Sequence, residues 1–262
     1  MATVAEIHSS GSRSIGNEIL EARDIVVRFG GLVAIDHVNI ALRSDEVFGL
    51  IGPNGAGKST TVNVLTGFQQ PTDGEVLIDG RSIRGWSPHR VARSGVARTF
   101  QAARLFPALS VFDNVAVAAV NAGGSLTVAH ERAGDILDWI GCATRAEVPA
   151  STLNYGDQRR VAIARALALS PKFILLDEPA AGMNDHECDE LVRLVSEIPA
   201  RWRCGVLLIE HNMSVVMQTC SRILVLDGGK PIAEGTPDAI QANTDVRRAY
   251  LGDKITALVA DR

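Results

Sequence analysis

Leu20–Phe29 and Leu32–Leu42 carry the apolar patterning of β-strands, on either side of Gly30-Gly31. Val47–Ile51 is a short, nearly continuous apolar run and predicts a buried strand. Glu75–Ile78 predicts another, turning at Asp79-Gly80. Ser87-Pro88 reads as an N-cap with proline at the first helical position, opening a short helix that Gly95 stops. Ser110-Val111-Phe112-Asp113 resembles a capping box ahead of a helix through Val115–Val120 that ends at Gly123-Gly124. From Ala102 to Leu169 the pattern is mostly helical, clearest over Asp135–Ile140 and Gln158–Leu169. After Pro171 strand and helix alternate. Phe173–Leu176 is a strand, Leu191, Leu194, Val195 and Ile198 share one helix face, and Val206–Ile209 is the next strand. Ile223–Leu226 and Ile232-Ala233, joined at Asp227–Lys230, predict a late hairpin. Such alternation predicts a mainly parallel sheet covered by helices, here interrupted by a helical insertion.

Composition narrows the class. A chain of 262 residues can bury a sizeable core, and its formal charge of −4 with interspersed signs gives no broad footprint for nucleic acid. Cys142, Cys188, Cys204 and Cys220 lack zinc or redox spacing and read as structural. No stretch reaches the roughly 18 to 20 apolar residues of a membrane span. Residues 1–18 are Ser/Gly-rich without an apolar segment, which predicts a flexible tail and no signal peptide. Any role at a membrane is therefore expected to come through a partner.

The chemistry begins at Gly52-Pro53-Asn54-Gly55-Ala56-Gly57-Lys58-Ser59-Thr60, directly after the apolar run. Glycines let the backbone curl with N–H groups inward, a lysine reaches terminal phosphates, and a hydroxyl can hold Mg²⁺. The helix beginning near Lys58 adds its positive end. Phe173–Leu176 runs into Asp177-Glu178, and ligands of a parallel sheet gather beyond such strand ends. Alone, two carboxylates could be a solvated cap. Beside a phosphate loop, Asp177 is a Mg²⁺ holder with Ser59, and Glu178 a carboxylate that polarises water toward the γ-phosphate. His211 also follows a strand, within reach of the same region. Gln101 sits where the sheet gives way to the helical insertion, placed to touch Mg²⁺ or water. Leu153-Asn154-Tyr155-Gly156-Asp157-Gln158 precedes a helix and reads either as a simple loop-to-helix cap or as a second anion site, which in a chain that already has one phosphate loop would serve another chain.

These motifs, in this order and spacing, resemble the nucleotide-binding subunits of ABC transporters from about Leu20 to Gly252. The resemblance implies an α/β P-loop NTPase fold, a mainly parallel RecA-like sheet with an antiparallel β subdomain and a helical subdomain. The first part of the ATP-binding core would span 19–101, the helical (signature) subdomain 102–169, and the second part of the core with the C-terminal segment 170–262. It assigns Lys58, Ser59 and Thr60 to Walker A, Gln101 to the Q-loop, and Leu153–Asp157 to the signature loop. Asp177 becomes the Walker B aspartate, Glu178 the catalytic glutamate, His211 the switch histidine, and Phe29 an aromatic that stacks on adenine. ATP and Mg²⁺ are the implied cofactors, with Ser59, Gln101 and Asp177 around the metal.

Finer features, Arg98-Thr99-Phe100-Gln101, Arg104-Leu105-Phe106-Pro107, Glu178–Asn184, Ile209–Met213 and Ala249–Gly252, resemble branched-chain amino acid importer ATPases of the Liv type, LivG-like more than LivF-like. Implied partners are a LivF-like second ATPase or another copy, two membrane permease subunits and, indirectly, a solute-binding protein outside the membrane; no nucleic acid is implied. The implied place is the cytoplasmic face of the membrane. Similar subunits serve urea, amides and aromatic compounds, so these solutes are alternatives. A soluble ABC ATPase of ribosomes or DNA is disfavoured, because the chain has neither a second cassette nor long heptads. Two departures stand out. The usual L-S-G-G-Q signature is here Leu153-Asn154-Tyr155-Gly156-Asp157, and Asn184 replaces the usual D-loop aspartate while also reading as an N-cap with Glu187.

Overall fold

The computed structural model describes residues 18–123 and 125–251. Residues 1–17 of the tail expected over 1–18, Gly124 of the expected helix stop, and Gly252 of the C-terminal motif lie outside the described residues.

Two sheets divide the strands. β1 (Ile19–Phe29), β2 (Leu32–Arg43), β4 (Asp73–Ile78) and the short β5 (Arg81–Ser82) form an antiparallel sheet in the order β2-β1-β4-β5. β3 (Val47–Ile51), β6 (Val96–Arg98), β7 (Phe173–Asp177), β8 (Gly205–Ile209), β9 (Arg222–Asp227) and β10 (Lys230–Gly235) form the second, in the order β10-β9-β3-β8-β7-β6. Its pairings are parallel except for the β9–β10 hairpin. β3 and β8 are buried at every position, because both faces of the sheet are covered. Strand alternation sorts their side chains. Phe48, Leu50, Phe173, Leu175 and Leu207 join the core shared with β1 and β2, whereas Val47, Ile51, Ile174, Leu176 and Leu208 join the core shared with the helices.

The helical insertion consists of α3 (Val111–Asn121), α4 (Leu126–Trp139) and α5 (Tyr155–Ala168), which pack on one another. Ser110 caps α3 by accepting the Asp113 N–H. The expected reciprocal box does not form, since the Asp113 carboxylate accepts the Ser110 hydroxyl instead. α6 (Asp185–Trp202) has the full box: Asn184 and Glu187 exchange backbone-to-side-chain bonds, both 3.0 Å. α1 (Lys58–Leu65), α2 (Pro88–Arg93), α7 (Met213–Thr219), α8 (Pro237–Ala242) and α9 (Thr244–Leu251) complete the described elements used below.

Three features were not legible in the pattern. β6 is only three residues long, too short for periodicity, and exists because β7 offers it a parallel edge. α4 starts at Leu126, far ahead of the expected Asp135, with Ser125 as its cap. α7, α8 and α9 are short helices whose burial comes from neighbours. The four cysteines are buried and unpaired. Burial raises the Cys142, Cys188 and Cys204 thiol pKa values and lifts that of Cys220 to about 12, which suits packing and not redox chemistry. Among the described residues no helix is long and apolar enough to cross a membrane.

Candidate active site

The phosphate loop leaves β3 and enters α1. Gly57 sits at φ 99°, and a Cβ there would lie 2.6 Å from Ile35 Cγ2 and 2.8 Å from the Ala34 carbonyl, so only glycine fits. Gly55, at φ 80°, has open space around its missing Cβ. The loop thus leans on β2 on one side and opens to a cavity on the other. That cavity, about 370 Å³, is lined by Leu32, Asn54, Gly55, Lys58, Ser59 and Glu178 among others.

Lys58 is buried and donates to the Gly52 carbonyl at 2.6 Å and the Pro53 carbonyl at 3.0 Å. Desolvation lowers its pKa, opposed by the charges of Glu178 and Asp177. A buried ammonium held by its own loop is poised to exchange those carbonyls for phosphate oxygens, which would restore the charge balance. The shape and charge of the cradle therefore fit a nucleotide triphosphate.

β7 and β8 end side by side, and the Glu178 N–H donates to the Ile209 carbonyl at 2.9 Å. This pairing brings the expected catalytic residues together. Gln101 Nε2 donates to Glu178 Oε2 at 3.0 Å, and His211 Nδ1 lies 3.9 Å from Glu178 Oε1. Glu178 is in the left-handed region at φ 49°, a conformation uncommon for a non-glycine residue and often retained at working sites. Asp177 Oδ2 lies 2.8 Å from Arg98. The hydroxyl of Ser59, the carboxylate of Asp177 and the amide oxygen of Gln101 are hard oxygen donors, a set that fits Mg²⁺.

Sequence reasoning missed Glu210. Its carboxylate is fully buried and accepts the N–H of Ala180 at 2.6 Å, His211 at 3.1 Å and Asn212 at 3.3 Å. It ties the loop after Glu178 to the loop carrying His211. Burial raises its pKa, and the three N–H donors act against that rise. Its signal was a lone carboxylate between an apolar strand and His211. Glu210→Ala orphans three backbone donors, and a loss of about 2 to 3 kcal/mol is expected. The denaturant midpoint of the purified variant checks this.

The signature turn is arranged differently from its sequence reading. Asn154 Oδ1 accepts the Asp157 N–H at 2.8 Å and so caps α5. Asp157 does not face outward to meet a nucleotide. Its side chain is 5% exposed and is ion-paired with Arg145 and, at 3.2 Å, with Arg160. Tyr155 is 46% exposed, packs against Gly182, and shares a hydrogen bond with Arg159, which donates to the Phe100 carbonyl at 3.1 Å. A Cβ on Gly156 would lie 2.7 Å from Glu187 Oε1, so a side chain there would have to displace that carboxylate. Phe29 ends β1 at 51% exposure, opposite Leu32, but it is Leu32 that lines the cavity.

Comparison with known proteins agrees with this geometry. Residues 35–181 match the family model "ABC transporter", and residues 230–255 match "Branched-chain amino acid ATP-binding cassette transporter". The chain is 42% identical to the high-affinity branched-chain amino acid transport ATP-binding protein BraF of Pseudomonas aeruginosa, and 43% identical to LivG of Escherichia coli, each over 90% of this chain and 98% of the relative. It is 33% identical to the lipopolysaccharide export system ATP-binding protein LptB of Haemophilus influenzae, over 90% of this chain and 98% of that protein. The crystal structure of a nucleotide-free ATP-binding cassette from an ABC transporter superposes with a TM-score of 0.80 at 30% identity, over 90% of this chain and all of that one. The chain belongs to the ATP-hydrolysing subunits of the ABC transporter family, and within it is similar to the branched-chain amino acid transport ATP-binding proteins.

Proposed function

We propose that the chain energises an importer of branched-chain or related hydrophobic amino acids from the cytoplasmic face of the cell membrane, paired with a second ATPase and two permease subunits that a solute-binding protein supplies. The observation that carries the reading is the Gln101–Glu178 contact of 3.0 Å, because it ties the hydrolytic carboxylate to a loop whose Phe100 and Ala103, on either side of Gln101, line a groove. That groove, about 890 Å³, runs between the β6 edge and α3 and α5, and is lined by Arg93, Arg104, Phe106, Val117, Arg165 and Leu169 among others. Phe106 is 50% exposed there, whereas Leu105 beside it packs inward on the helical core. A permease segment seated in the groove would press on the loop that carries Gln101.

In the reaction so proposed, Lys58 binds the terminal phosphates, Glu178 orients and polarises the attacking water, Gln101 holds Glu178 in place, and His211 approaches the same water from β8. Ser59 and Asp177 would hold Mg²⁺, which when bound neutralises phosphate charge. The turn at Asn154–Gly156 would complete the site of the partner ATPase, and the partner's own turn would complete the site at Lys58.

Because the signature of this chain lacks the usual serine, its homodimer is expected to turn over slowly, and pairing with an ATPase of fuller signature to speed the site at Lys58. Steady-state ATPase activity of the chain alone, then with its partner ATPase and permeases, tests this, with Asn154→Ser in each setting. Full-rate cooperative hydrolysis by the isolated chain, indifferent to the partner, would point to a homodimeric machine instead.

A further inference from the structure

Arg98 ends β6, three residues before Gln101, with its side chain 10% exposed against 14% for that of Asp177. One arm of its fork lies 2.8 Å from Asp177 Oδ2, and the other donates to Asn63 Oδ1 on α1 at 2.6 Å. Its guanidinium also lies 4.9 Å from the ring centroid of Phe100 and 6.0 Å from that of Phe68. From the next residue, Thr99 Oγ1 accepts the Asp177 N–H at 3.3 Å. A planar fork anchored at both arms and stacked on an aromatic ring differs from a solvent-screened surface pair, and lysine could not reproduce its geometry.

This clamp has two consequences. One carboxylate oxygen of Asp177 is fixed, so the rotation of the group is set before any ligand arrives. A full positive charge also stands 2.8 Å from the carboxylate that a divalent cation would have to approach, and like charges sharing one carboxylate in a half-buried site repel strongly.

We propose that Arg98 is a positioning residue of the catalytic centre. It aims Asp177 and offsets its charge, so that a divalent cation enters together with the anionic phosphates and not ahead of them. The inference rests on reading Asp177 as the cation-holding carboxylate, and the test separates the two ideas.

Mn²⁺ serves as the probe, its free and bound fractions read by electron paramagnetic resonance on the full-length protein, with and without ADP. Without nucleotide, Arg98→Gln is expected to bind Mn²⁺ at least about fivefold more tightly than the parent, since a repelling charge is gone. Arg98→Lys should match the parent in Mn²⁺ affinity, because the charge returns. Its turnover should lie between those of the parent and Arg98→Gln, because the fork does not return. Adding Asp177→Asn to Arg98→Gln should abolish the gain. Should Arg98→Gln fail to fold, Arg98→Met keeps the apolar stem without the charge and should shift Mn²⁺ affinity the same way. Unchanged Mn²⁺ affinity in a folded Arg98→Gln protein, or in Arg98→Met where that variant stands in, overturns the proposal. Unchanged Mn²⁺ binding by Asp177→Asn in the presence of ADP instead overturns the reading of Asp177.

Discussion

Glu178→Gln is expected to lower steady-state ATP turnover about 10²- to 10⁴-fold, the contribution of a positioned general base. The amide keeps the shape and an oxygen that can accept from Gln101, so the 3.0 Å contact can persist and nucleotide binding should be intact. What is lost is the charge that draws a proton from water. With hydrolysis blocked and ATP retained, ATP-dependent dimers should accumulate. The measurements are turnover in the assembled complex and dimer fraction by size exclusion with ATP. Turnover within a few-fold of the parent would remove Glu178 from its role and leave His211, whose Nδ1 lies 3.9 Å away, as the remaining candidate base.

The second large effect separates holding from hydrolysing. Lys58→Ala removes an ammonium bonded to two loop carbonyls at 2.6 and 3.0 Å, so the variant loses both the phosphate cation and the internal brace of the loop. A charge-assisted hydrogen bond contributes about 1.5 to 3 kcal/mol, which corresponds to a roughly 10- to 150-fold weaker ATP affinity. His211 lies at another strand end, with its side chain 60% exposed and Nδ1 3.9 Å from the carboxylates of both Glu178 and Glu210. The ATP affinity of His211→Ala should stay within about twofold while turnover falls at least about tenfold. Equilibrium binding of a fluorescent ATP analogue alongside turnover decides the matter. Equal loss of binding in both variants would contradict this division of labour.

The phosphate loop, the strand ahead of it, the capping box at Asn184 and the alternation after Pro171 were legible in the chain because each is set by residues within a few positions of one another. Hydrogen bonds of turns and caps, and the side-chain period of a strand, are local properties. The same locality made the direction of Asp157 illegible. Its place in the motif suggested a group serving another chain's site, but Arg145, twelve positions upstream and across the turn, draws the carboxylate inward.

The sequence by itself determined which chemical groups exist here and which stretches become strands and helices, since those depend on composition and short-range period. Tertiary structure alone decided the order β3-β8-β7-β6, and with it the meeting of Arg98 with Asp177, 79 positions apart, and of Gln101 with Glu178, 77 apart. A three-residue strand such as β6 carries too little signal of its own. It is fixed by the edge it joins, and its neighbours are chosen by how the whole sheet buries both faces.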